Sequence, residues 1–165
     1  MKKLFLIRHA KSSWDNQDQT DIDRTLNKKG MADAPMMAKF LQESKNHPDL
    51  LISSPAIRAL TTAQIFAAQF GVNPEVIVTD SRIYEAGMRE LMSVARELEN
   101  RYESVFLFGH NPGLTSFTNL LGNKFFPEMP TCAIAGIEFE LNSWLEIERG
   151  TGRVFLFDYP MKHSK

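Results

Sequence analysis

The chain has 165 residues, 43% of them hydrophobic, enough to bury one core without help from disulfides or metals. Nineteen Lys and Arg against twenty Asp and Glu leave a net charge of −1, without the basic excess that duplex nucleic acid selects. One cysteine cannot close an internal disulfide, nothing nears the roughly 18 consecutive apolar residues of a membrane span, and Arg8 ends the first apolar run too early for an export signal. The expectation is one cytoplasmic domain over residues 1–165, with neither nucleic acid nor a membrane as partner.

In chain order, short apolar runs at Lys3–Ile7, Leu50–Ile52, Val76–Val78 and Val105–Phe108 read as strands, and longer segments of helical periodicity separate them. The first helix is expected over Asn27–Ser44, with Met31, Ala34, Met37, Ala38 and Leu41 on its apolar stripe and Pro35 kinking or splitting it. A second opens at Ser54-Pro55, with the serine as cap and the proline in the first helical position, and stops at Gly71. A third is expected from Met88 to Tyr102, and a fourth from Pro112 to Gly122. Ala133–Leu141 and Arg153–Phe157 then read as an antiparallel hairpin. The alternation implies an α/β fold, a three-layer α/β/α sandwich on a mostly parallel sheet with that hairpin at its C-terminal end.

Two of the four histidines sit in the same setting. His9 closes the run Leu4–Arg8 and His110 closes the run Val105–Gly109. In open α/β sheets ligands bind beyond the carboxyl ends of the strands, so both rings are candidates for one crevice, against the plainer reading of two solvated loop residues. Each is followed by loop residues suited to polar contact, of which Lys11, Ser13 and Asn111 are candidate substrate contacts. Trp14 is a candidate wall. Arg8 adjoins His9, and Arg58 lies near the start of the second helix; a guanidinium's planar fork matches phosphate oxygens, although each arginine could instead pair with a neighbouring carboxylate. Successive strand residues point to opposite faces, so Arg8 and His9 can address one anion only if the strand breaks at about His9.

Leu6-Ile7-Arg8-His9-Ala10, Ser53-Ser54-Pro55-Ala56-Ile57-Arg58-Ala59 and Phe108-Gly109-His110-Asn111-Pro112-Gly113, in that order, resemble the motifs of the histidine phosphatase superfamily. The form Arg8-His9-Ala10-Lys11-Ser12-Ser13-Trp14 in so short a chain resembles its SixA-type phosphohistidine phosphatase branch. The resemblance implies a nucleophile at His9, phosphate-holding Arg8 and Arg58, and a transition-state-stabilising His110. It also implies a general acid at Glu85, whose alternative is a residue that favours the next helix dipole or pairs with Arg89. Ala10 and Lys11 depart from the commonest superfamily pattern, which weakens any transfer of sugar-phosphate specificity.

The implied activity is metal-independent and cofactor-free hydrolysis of phosphohistidine on a protein through phospho-His9. Its alternatives are a phosphatase or mutase for a small phosphorylated metabolite, a non-catalytic phosphate-binding adaptor, and a metal-dependent hydrolase with His9 and His110 as ligands. Cys132 is not a phosphotyrosine-type nucleophile, since Glu138 stands six positions on where arginine is needed, and it reads as a packed thiol.

Overall fold

The computed structural model describes residues 1–163. The first apolar run forms β1 (Lys2–Arg8). Leu4 and Leu6 join the core on one side of the sheet and Phe5 and Ile7 that on the other, all four fully buried. A strand covered on both faces needs apolar residues at every position, which is why the run is continuous. β4 (Ser104–Gly109) repeats the pattern, with Val105 and Leu107 on the first side and Phe106 and Phe108 on the second.

These strands join β2 (Leu50–Ser53), β3 (Val78–Thr79), β5 (Ile134–Phe139) and β6 (Gly152–Asp158) in one sheet of order β3-β2-β4-β1-β5-β6. β3, β2, β4 and β1 pair in parallel, while β5 runs antiparallel to both β1 and β6. Only β5 therefore opposes the common direction. Helices α1 (Lys28–Glu43) and α2 (Ile57–Gln69) cover the Phe5 face through Met37, Leu41, Ala63 and Phe66. On the Leu4 face, α3 (Met88–Arg96) and α4 (Gly113–Leu121) pack through Leu91, Val94, Leu114 and Phe117. This is the three-layer arrangement expected from the sequence. Among the described residues no helix is long and apolar enough to cross a membrane.

Four elements differ from expectation. Pro35 does not split α1; it lies on the exposed side, where the carbonyl left without its partner can meet water, and Met31 is exposed outside the buried stripe. α2 begins at Ile57 with no side-chain cap, and the Ser54 hydroxyl instead accepts the Ala56 N–H at 3.1 Å in a tight turn ahead of the helix. α3 stops at Arg96 because the following backbone is engaged elsewhere: the Asn100 carbonyl takes Lys2 Nζ, and the Tyr102 carbonyl takes the indole N–H of buried Trp144 at 2.7 Å. Asn73 caps a 3-10 turn over Pro74–Val76, which delays β3 to Val78.

Two glycines let backbones approach closely at the carboxyl edge of the sheet. A Cβ on Gly30 would lie 2.2 Å from the Lys11 carbonyl oxygen, so glycine is what allows α1 to abut the loop after β1. A Cβ on Gly113 would lie 2.2 Å from the Ala86 carbonyl oxygen, and its absence seats the 85–87 loop against α4.

Candidate active site

β1 and β4 are adjacent, with Arg8 in register with Gly109, so the residues that follow them are neighbours. The strand breaks after Arg8 as the geometry requires. Backbone bonds hold the break: His9 N–H donates to the Gly109 carbonyl, and Cys132 N–H donates to the His9 carbonyl, each at 3.0 Å. The His9 and His110 rings come to 5.2 Å between centroids. Thr62 ties this turn to α2, since its hydroxyl accepts Ala10 N–H at 3.1 Å and donates to the Arg58 carbonyl at 2.7 Å.

Arg8, His9, Lys11, Arg58, His110 and Asn111 line one cavity of about 340 Å³. Its rim and wall also include Ser12, Trp14, Arg24 and Thr131. Arg8 donates through Nη1 to the Met129 carbonyl at 2.8 Å, and Asn111 Nδ2 donates to the same oxygen at 2.8 Å. Arg58 is held by Asp21, through Nη1 to its carbonyl at 2.6 Å and Nη2 to its carboxylate at 3.0 Å. Arg24 shares that carboxylate at 3.1 Å, donates to Ser12 Oγ at 2.6 Å and stacks on Trp14 with its guanidinium carbon 3.5 Å from the ring centre. Two arginines from two segments are thus oriented by one aspartate.

Both imidazoles are neutral at pH 7. Burial, opposed by the hydrogen bond to Ala10 and reinforced by Arg58, Arg8 and Arg24, pulls the His9 pKa down to about 4. Burial, then His9 and Arg58, pulls His110 down to about 3. His9 Nδ1 is 2.7 Å from the Ala10 carbonyl oxygen. A carbonyl only accepts, so Nδ1 carries the proton and Nε2 keeps its lone pair. Asp21 falls to about 2, first through the Tyr84 hydroxyl at 2.5 Å and then through Arg58 and Arg24, against its burial.

Among the described residues, four buried side-chain nitrogens or oxygens lack a hydrogen-bond partner, and three of them belong to residues around this cavity: Arg8 Nε, Arg58 Nε and His110 Nδ1. Unpaired buried polar atoms are costly and rare in folded proteins, and three of these four belong to residues that border one cavity. No three His, Cys, Asp or Glu side chains converge in a metal-holding group among the described residues.

Two sequence candidates lie outside the cavity lining and a third is engaged internally. Glu85 is exposed and outside the cavity lining, in the left-handed region at φ 56°, with its carboxylate acting on the Tyr84 hydroxyl. It forms no ion pair with Arg89 among the described residues. Ser13 also lies outside the lining, because its hydroxyl accepts Asp15 N–H at 3.0 Å in a local turn, and Ser12 faces the cavity in its place. The Asn111 amide lines the cavity but is engaged internally, donating to Met129 and accepting from the Thr115 N–H and hydroxyl. Cys132 is fully buried, which pushes its thiol pKa up, as a packed thiol should be. Sequence reading missed Asp21, Arg24 and Thr131, which lie in polar stretches without periodicity, and it took Ser54 for a helix cap.

The model of the histidine phosphatase superfamily (branch 1) matches residues 4–125. An uncharacterised chloroplastic protein of Arabidopsis thaliana is 31% identical over 153 residues, 88% of this chain and 70% of its own length. Phosphoserine phosphatase 1 of Hydrogenobacter thermophilus is 35% identical over 71% of this chain, which spans 55% of that protein. A solved chain from Agrobacterium tumefaciens, assigned as the phosphohistidine phosphatase SixA, superposes with a TM-score of 0.78 at 27% identity, covering 96% of this chain and 98% of that one. With the family model and the fold in agreement, the chain belongs to the histidine phosphatase superfamily and is SixA-like.

Proposed function

We propose that the chain is a phosphatase that removes the phosphoryl group from a phosphohistidine on a partner protein, through a covalent phosphohistidine formed on its own His9. The observation that carries this reading is that Arg8, Arg58 and His110, each with a buried side-chain nitrogen that has no partner in the protein, line the cavity that His9 also lines. Phosphoryl transfer asks chiefly for positioning and for positive charge about the equatorial oxygens, and these groups supply both.

In the first step the His9 Nε2 lone pair forms a bond to phosphorus while the bond from phosphorus to the substrate imidazole breaks. The leaving nitrogen keeps the electron pair and takes a proton from solvent water at the open rim. In the second step a water oxygen attacks the phosphorus of phospho-His9, the bond to Nε2 breaks, a proton leaves the water, and inorganic phosphate departs from neutral His9. Because His9 is neutral at rest, no general base is needed to activate it. An imidazole leaves more readily than an alkoxide, which suits a site whose candidate acid, Glu85, is exposed and outside the cavity lining.

The protein-substrate reading is supported by the open rim, where Trp14 is 73% exposed, and by the likeness to the Agrobacterium SixA chain. The similarity to phosphoserine phosphatase 1 favours a second reading, a small phosphorylated metabolite. The test is a panel: phosphohistidine proteins and phosphometabolites at equal concentration, with phosphate release measured and acid-labile, base-stable label sought on His9. Preference for phosphohistidine proteins with label on His9 supports the first reading. Preference for a metabolite with the same label selects the second, and absence of label from His9 removes the covalent mechanism.

A further inference from the structure

We infer that Ser54 is a positioning residue that holds His110 in the Nδ1-protonated tautomer, so that an N–H and not a lone pair faces the phosphoryl group. The consequence for catalysis rests on the phosphoryl-transfer reading above, whereas the tautomer itself is a property of the free protein.

Ser54 follows β2, which neighbours β4 in the sheet, and its N–H donates to the Phe108 carbonyl at 3.0 Å. The side chain has no exposed surface, and its Oγ lies 2.8 Å from His110 Nε2. A serine hydroxyl has one proton to give and two lone pairs to accept with. One lone pair already receives the Ala56 N–H at 3.1 Å. The neighbouring Ser53 hydroxyl donates to the Ser54 carbonyl at 2.8 Å, so its proton is committed elsewhere.

The two tautomers of His110 leave different accounts. If Nε2 carries the proton, it donates to Ser54 Oγ, the buried hydroxyl proton of Ser54 has no acceptor among its partners, and the unpaired Nδ1 lone pair, on a ring that lines the cavity, would repel phosphate oxygens there. If Nδ1 carries the proton, Ser54 donates to Nε2, the hydroxyl is satisfied in both directions, and the buried Nδ1, which has no partner in the protein, becomes a donor for an anion. In the free protein each tautomer leaves one buried donor unpaired, Ser54 Oγ–H in the first and Nδ1–H in the second, but only the first also strands the Nδ1 lone pair, so the second tautomer is the one the surroundings select. The tautomer decides the matter because burial, His9 and Arg58 keep the ring neutral, which makes the proton's location the only variable.

The test uses the full chain with 15N-labelled histidine at pH 7.5, read by long-range 15N–1H correlation spectra, with His110→Gln giving the assignment. The expected wild-type pattern is a protonated Nδ1 and an unprotonated Nε2 at His110. Ser54→Ala should shift His110 toward the Nε2-protonated form or a mixture, leave the His9 signals in place, and lower kcat on phosphoramidate about 10- to 100-fold with KM changed less than about threefold, as when a supporting hydrogen-bond partner is lost. Ser54→Thr, which restores a hydroxyl, should recover both the tautomer and kcat. Protonated Nε2 at His110 in the wild type overturns the inference outright, whatever the variants do. So does a Ser54→Ala protein that keeps the wild-type spectrum. A correct tautomer in a protein that forms no phospho-His9 would keep this inference and remove the covalent mechanism, so the two failures are separable.

Discussion

β1 and β4 lie side by side, carry the same kind of buried apolar run, and each passes the chain to a histidine, yet the two rings are held by opposite edges. After β1 the ring is held locally, its Nδ1–H on the Ala10 carbonyl of the next residue. After β4 it is held at long range, its Nε2 on a hydroxyl 56 residues away in sequence. A ring whose Nδ1 rests on a pure acceptor leaves an Nε2 lone pair that can attack. One whose Nε2 receives a hydroxyl proton, as inferred for Ser54 and His110, leaves an Nδ1 edge that can donate. The same residue after the same kind of strand is thus prepared for two roles by what its other nitrogen touches.

The comparison breaks most completely at His9. His9→Ala should abolish both turnover and the acid-labile label while the circular dichroism spectrum stays native, because losing the ring enlarges a cavity that is already present and breaks no strand or helix hydrogen bond. Retained activity would exchange the two roles. His110→Ala and Arg58→Ala should still become labelled, but about 10²- to 10³-fold more slowly in rapid-quench measurements, by analogy with loss of one donor to a developing oxyanion. A loss on His110→Ala as complete as that on His9→Ala would argue against its being a stabilising contact alone.

Asp21→Asn tests the shared brace. Its carboxylate holds Arg58 and Arg24 at once, so the change should loosen both and lower kcat/KM about tenfold, in the range for a supporting partner, without removing label from His9. Glu85→Gln should slow phosphomonoester hydrolysis about 10²-fold or more but phosphohistidine hydrolysis only a few-fold, since imidazole leaves without much help. Equal losses on both substrates would sink either the assignment of the acid or the leaving-group argument.

The smallest effect is the most diagnostic of burial. With pKa values lowered to about 4 and about 3, neither His9 nor His110 should titrate between pH 5.5 and 8 in an NMR titration. The linkage has a definite sign: the unfolded histidines bind protons near pH 6.5 and the folded ones do not, so stability is complete above that pH and declines as pH falls toward 4. Urea midpoints measured from pH 8 down to pH 4 should follow that course, and a His9 midpoint near 6.5 would mean the ring is open to water.

The sheet was legible because strands buried on both faces read as continuous apolar runs, as Leu4–Ile7 and Val105–Phe108 do. Helix ends were less legible. Ser54-Pro55 carries a good local start signal, but the serine is engaged in a turn and with His110, and tertiary partners overrode the local preference. Likewise Asn100 and Tyr102 were drawn out of a helical pattern to anchor Lys2 and Trp144. At the site, Arg8, His9, Arg58 and His110 were found because each sits beside a strand end or helix start. Asp21 and Arg24 were not, since the polar stretch that carries them has no period and reaches the cavity only after the chain folds back, where Ser12 bridges to Leu26.

The sequence by itself determined the chemistry available: two histidines at strand ends, two arginines beside them, and apolar periods that demand a covered sheet. Tertiary structure alone decided how those groups are used. Strand order sets β2 beside β4 and so brings Ser54 to His110; the folded loop brings Asp21 to Arg58; and burial strips water from both imidazoles and holds them neutral. Which edge a ring presents and which donor stays unpaired depend on contacts between residues tens of positions apart, and local sequence patterns carry no information about those contacts.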